Sequence, residues 1–140
     1  MVLQGGGKSC MLPETIERLK QADYDLGTAE AMWQTGRYVY TAFMCQLAVE
    51  KALKALVVER TGDTPPKTHN LLALAKLAQP VLTPEHVEFL AVLNMAGVGT
   101  RYPDLLDEAI KRYPKELARD YLVKAREVIQ CLKDQTSSLR

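Results

Sequence analysis

The sequence predicts an all-α protein, an up-and-down helical bundle of four to five helices. Three observations carry that expectation. Apolar residues recur at steps of three and four along most of the chain, the repeat of a helix with one buried face. Strand-type alternation is absent, and the β-branched clusters fall inside helical patterns. Prolines and glycines break the chain between these periodic segments.

The first helix is expected from Pro13, a residue suited to an opening turn, to about Gln34, with Ile16, Leu19, Ala22, Leu26, Ala29 and Trp33 along one stripe. Gly36 stops it. A second helix follows at once, from about Arg37 to Arg60, and Gly62 ends it. So short a link makes the two antiparallel neighbours. The prolines of TGDTPPKT form a loop, after which Thr68 is expected to cap a third helix, His69 to Gln79. Thr83 caps a fourth, which fades at Gly97 and Gly99. TRYPDLLDEAIKRYP, with Pro103 and Pro114, reads as a loop holding at most a short helical piece. The last helix, Lys115 to about Asp134, has the clearest stripe, from Leu117 and Ala118 to Leu132.

One domain accounts for 140 residues: a flexible Gly-rich tail at 1–12, the bundle at 13–135, and a C-terminal tail at 136–140. A formal net charge of +1 lacks the basic footprint of a duplex-DNA binder, though a local patch could still meet RNA or nucleotide phosphates. Cys10, Cys45 and Cys131 are sparse and contain no CxxC pair, so they read as reduced thiols and not as a metal site. No apolar run approaches the roughly 20 residues that span a bilayer. A cytoplasmic protein without metal, cofactor or membrane contact is expected. The GGGKS of the tail is not a phosphate loop, because Val2 stands where that motif needs glycine.

The second helix carries an unusual line. In AFMCQLAVEKALKAL, Gln46, Glu50 and Lys54 fall four residues apart on a helix otherwise built for burial. Ala48, Ala52 and Ala55 form another side where a neighbouring backbone can come close. The polar line is either a surface ion pair, with Glu50 four residues before Lys54, or a polar site set into the core.

AFMCQLAVEKALKAL, a Pro-containing loop, PPKTHNLLALAKL, TRYPD and ARDYLVKAREVIQCL occur in an order that resembles the HEPN family. ADYDLGTAEAMWQTGRY adds to the likeness, which spans about Glu14 to Lys133. The resemblance implies an up-and-down bundle that commonly dimerises through helix faces. It also implies a frequent association with a minimal nucleotidyltransferase, in some cases as a toxin–antitoxin pair. Some members are metal-independent endoribonucleases; others are non-catalytic and are proposed to bind nucleotides or proteins. The ribonuclease branch uses an Arg followed four to six residues later by His, the Arg to stabilise charge on phosphate and the His to move a proton. Here no Arg stands at that spacing before His69 or His86, and Arg101 continues YPDLLDEA without a His.

No catalytic residue is therefore assigned. The ligand-binding candidates are Gln46, Glu50, Lys54, His69, Arg101 and Tyr102. Arg101 either grips a phosphate, with Tyr102 stacking on a base, or pairs with Asp104 while Tyr102 packs into the bundle. His69 either meets a ligand or bonds locally at a helix start. Glu50 could instead join Arg101 or Lys54 in a buried structural network. His86 is expected to be exposed, and Lys111, Arg112, Lys115 and Arg119 to form a solvated face. The favoured function is a non-catalytic homodimeric module that partners a minimal nucleotidyltransferase and binds nucleotide or RNA. The alternatives are a ribonuclease with a variant site and a purely structural interaction domain.

Overall fold

The computed structural model describes residues 11–139. The GGGKS stretch and Cys10 lie outside the described residues. Six helices follow one another: α1 (Pro13–Gln34), α2 (Tyr38–Thr61), α3 (Leu71–Ala78), α4 (Pro84–Arg101), α5 (Leu106–Arg112) and α6 (Lys115–Ser138). Among the described residues there is no strand. The count exceeds the four to five expected because the short segment between Pro103 and Pro114 closes a helix of its own, α5.

The first two helices end as their glycines dictate. Gly36 and Gly62 adopt φ of 80° and 74°, left-handed conformations that a side chain would strain. Along α1 the buried face is Thr15, Leu19, Ala22, Asp25, Leu26 and Ala29. Ile16, expected on that stripe, is exposed, and Thr15 takes the inward place.

Helix α2 is the hub, packing on α1, α6, α4 and α3. Fifteen of its 24 residues are buried, on every side of the helix. Ala42, Ala48, Ala52 and Ala55 are wholly buried, as are Ala22 and Ala29 of α1, so small side chains lie in the core on both helices. A helix surrounded in this way leaves little room for a solvated edge, which already bears on Gln46 and Glu50.

The later helices differ from expectation at their ends. Asn70, not Thr68, caps α3: its side chain accepts from the N–H groups of Leu72 and Ala73. Thr68 Oγ1 accepts instead from the N–H of Asn70, which places His69 just ahead of the helix, in a turn. Thr83 does cap α4, accepting from His86 N–H. That helix continues through Gly97 and Gly99 to Arg101, because Gly97 is buried against α2. Helix α6 reaches Ser138, and buried Thr136 draws part of the expected C-terminal tail into the bundle. At the other end Met11 packs on the core and the N–H of Leu12 donates to Glu59 Oε1 at 3.1 Å, so the bundle begins before Pro13. No helix among the described residues is long and apolar enough to cross a membrane.

Candidate functional site

The polar line of α2 faces inward. Gln46 is 1% exposed and Glu50 3%. Four-residue spacing aligns them with Lys54, and the packing of α3 and α4 on α2 closes water out. A buried carboxylate must be paired and hydrogen-bonded, and Glu50 is both. Its Oε1 accepts from Gln46 Nε2 at 3.2 Å, and its Oε2 pairs with Lys54 Nζ at 3.1 Å. His69 Nδ1 lies 3.0 Å from Oε1 and 3.1 Å from Oε2. The Glu50–Lys54 contact is thus a largely buried pair, not the surface pair that the spacing alone would allow.

Gln46 connects three elements. Its Nε2 donates to the backbone carbonyl of His69 at 3.0 Å, and its Oε1 accepts from Arg101 at 3.4 Å. Glu50 and Arg101 are therefore linked through Gln46 and do not touch directly. The Arg101 guanidinium sits 4.9 Å from the centre of the Phe43 ring, a cation over an aromatic face. Asn94 Oδ1 accepts from the N–H of Leu71 at 2.8 Å, joining the start of α3 to α4.

These side chains border a hollow of about 250 Å³ lined by Gln46, His69, Asn94, Gly97, Arg101 and Tyr102. Four of the six candidates from the sequence are thus in its wall. Glu50 stands behind Gln46 and His69, and Lys54 lies one turn farther along α2. The His69 side chain is 62% exposed and Tyr102 is 83% exposed, so both are open to an arriving ligand. Among the described residues Arg101 forms no ion pair; the alternative pairing with Asp104 is not formed. Tyr102 does not pack into the bundle. His86 is apart from this group: its side chain is 15% exposed, contrary to expectation, with Nε2 3.4 Å from Glu127 Oε1.

Sequence reasoning missed Phe43 and Asn94 as participants, and marked Gly97 as a place of close approach or sharp bending without naming what it meets. Phe43 supports the Arg101 cation, Asn94 ties α3 to α4, and Gly97 makes room for Gln46. A signal existed for two of them: Asn94, Gly97 and Arg101 recur at three and four residues along α4, interrupting an apolar face. Among the described residues no group of three His, Cys, Asp or Glu side chains could hold a metal ion. The arrangement offers a free-ended cation, an exposed imidazole braced by a buried carboxylate, and an exposed phenol around a small apolar-walled hollow.

Fold and site together define an all-helical bundle with a buried amide–carboxylate line leading to an open arginine. The sequence matches the model of the HEPN domain over residues 16–135, and the chain belongs to that family. Two solved structures are similar. The crystal structure of TT1696 from Thermus thermophilus shares 26% identity with a TM-score of 0.78, covering 88% of this chain and 98% of that one. The crystal structure of ST0689, an archaeal HEPN homologue, shares 22% identity with a TM-score of 0.70, covering 89% of this chain and 99% of that one. Among curated proteins there is no match.

Proposed function

We propose that this protein is a non-catalytic HEPN module that acts as a homodimer in the cytoplasm, binds nucleotide or RNA at the Arg101 hollow, and partners a minimal nucleotidyltransferase. The observation that carries the ligand reading is Arg101. Its guanidinium lies at a hollow with one long hydrogen bond to an amide and no carboxylate partner among the described residues, so it keeps donors for a phosphate. Tyr102, exposed beside it, can stack on a base.

Support for self-association comes from α4, which is apolar on two faces. Phe89, Leu90 and Leu93 enter the core, while Val87, Met95, Val98 and Tyr102 form an exposed stripe on the other side. That stripe includes two lining residues of the hollow, Val98 and Tyr102, so a second copy seated there would border the ligand. The nucleotidyltransferase partner rests on family membership. A nucleotidyltransferase gene beside this one, and co-purification of the two products, would support it.

A second reading is favoured by one contact. His69 shares the hollow with Arg101 and is held by Glu50 at 3.0 Å, the arrangement of an oriented acid–base histidine. The same assay separates the readings: calorimetric titration with ATP and with a short uridine oligonucleotide, alongside oligonucleotide cleavage in EDTA. The binding module predicts at least one of these ligands bound, about tenfold or more weaker binding in Arg101→Ala, and no cleavage. Metal-independent cleavage lost in both Arg101→Ala and His69→Ala would establish the ribonuclease. Absence of both binding and cleavage would leave only an interaction domain.

A further inference from the structure

A different part of the bundle carries a second cluster. Where α1 turns into α2, a groove of about 330 Å³ opens between the start of α2 and α5, lined by Arg37, Tyr38, Tyr40, Leu106, Ile110 and Tyr113. Its walls are mainly hydrocarbon and ring surface. Tyr40, Leu106 and Ile110 are 45%, 56% and 51% exposed, an apolar expanse that no described residue covers.

The groove borders positive charge. Arg37, Arg112, Lys115 and Arg119 are all exposed, and none forms an ion pair among the described residues. Arg37 lies in the groove itself, Lys115 follows two residues after Tyr113, and Arg112, next to that tyrosine in the chain, lines the neighbouring hollow with Asp104 and Glu108. Gly36, also in the groove wall, bonds back to the carbonyl of Trp33, whose ring is covered by Lys115 and Arg119 at 5.5 and 5.1 Å. Nearby acids do not cancel the cluster. Glu108 is taken by Lys111 and Asp120 by Lys124. Counting Asp104, which shares a hollow with Arg112, together with Asp107 and Glu116 in full leaves four cations against three acids, an excess of one positive charge.

We propose that this end of the bundle docks an acidic polypeptide segment that inserts one bulky apolar side chain into the groove. Charge complementarity selects the acidic flanks, and the hydrocarbon walls select the anchor. The chemistry favours a peptide over RNA. The ring of Trp33, the strongest stacking surface here, is occupied by two cations, and its N–H already donates to the carbonyl of Lys115 at 3.0 Å. The exposed wall of the groove is mainly apolar surface, which an apolar side chain fills better than a base edge does. The site is separate from the Arg101 hollow and does not depend on nucleotide binding there.

Fluorescence polarisation with three labelled probes tests this: a nine-residue Asp/Glu peptide with a central Phe, the same peptide with a central Ala, and a nine-nucleotide uridine oligomer. The Phe peptide is expected to bind about tenfold tighter than the Ala peptide and to weaken as salt rises. Arg37→Glu should weaken it about tenfold, and Ile110→Glu should abolish the preference for Phe. Both positions border solvent, so circular dichroism should show folded variants in each case. Arg101→Ala should leave peptide binding unchanged, whatever it does to nucleotide. Equal affinity for the two peptides, no peptide binding at millimolar concentration, or tighter binding of the uridine oligomer lost in Arg37→Glu would each overturn the proposal.

Discussion

Gly97 of α4 stands directly against Gln46 of α2: a Cβ at position 97 would lie 2.5 Å from Gln46 Cγ and 2.8 Å from Cδ. Gln46 cannot swing aside freely, because its amide is tied to Glu50, to the His69 carbonyl and to Arg101. The glycine and the polar line are therefore one arrangement.

Gly97→Ala is accordingly expected to lower stability, against the ordinary rule. In a helix interior this change normally stabilises by about 1 kcal/mol. Here overpacking of roughly 1–3 kcal/mol opposes it, and displacement of Gln46 breaks the bridge to Arg101. Gly99→Ala, two residues on, is the control. Its Cβ would meet Tyr113 Oη at 3.5 Å, an ordinary contact, so it should stabilise by about 0.5–1 kcal/mol. Paired denaturant melts check the sign; a stabilised Gly97→Ala would show that Gln46 moves at no cost.

Glu50 and Arg101 should separate stability from binding. Glu50→Ala leaves Lys54, only 13% exposed at its side chain, without its counter-ion and removes the brace of His69. Breaking so buried a pair costs about 3 kcal/mol. Glu50→Gln keeps the shape yet loses the charge, and should cost about 1–3 kcal/mol. Arg101→Ala removes one long hydrogen bond and a contact with Phe43, for a loss of about 1 kcal/mol or less. Thermal melts and nucleotide titration on the same samples test the division. It fails if Arg101→Ala melts as early as Glu50→Ala, or if Glu50→Gln leaves the melt untouched.

What the sequence made legible follows from physics that acts locally. The line Gln46–Glu50–Lys54 could be read because helical spacing alone aligns it. Arg101 stood out as a basic residue following two glycines and preceding Tyr-Pro. The direction in which that line faced could not be read, since it depends on α3 and α4 covering α2. The same holds for the course of α4 through Gly97 and Gly99: glycine propensity argued for fraying, and burial against Gln46 prevailed. Thr68 and Asn70 are both good caps, and the choice between them follows from Asn94 fixing where α3 begins. Helix α5 lay between prolines in a stretch too short for periodicity to speak.

The outer stripe of α4 yields a prediction about assembly. Met95 and Val98 are each 76% exposed, so a charge at either position costs the monomer little. If that face joins two copies, Met95→Glu or Val98→Glu buries a charge at the joint and should raise the dimer dissociation constant about tenfold or more. Light scattering across a dilution series measures this. An unchanged oligomeric state in both variants would remove α4 from the interface.

Cys45 sets a dependence on alkaline pH whose sign can be worked out. It is wholly buried in α2, and burial pushes its thiol up from 9.0 to about 12, with Arg126 opposing the rise and Glu30 adding to it. In the unfolded chain the thiol loses its proton near its ordinary value, whereas in the folded chain it stays protonated. Above pH 9 the folded state therefore binds more protons than the unfolded state, and stability falls as pH rises. The contribution is intact below about pH 9 and is lost progressively toward pH 12, at about 1.4 kcal/mol per pH unit. Tyr113 and Tyr121, also raised by burial, add to the decline above pH 10. Cys45→Ala removes the thiol and should flatten the slope between pH 9 and 10, before the tyrosines contribute. Urea melts at half-unit pH steps measure that slope, and an equal slope in the variant would mean that Cys45 does not govern it. Site-resolved alkylation gives an independent check: at about pH 8 native Cys45 should resist iodoacetamide, and it should react once urea unfolds the chain.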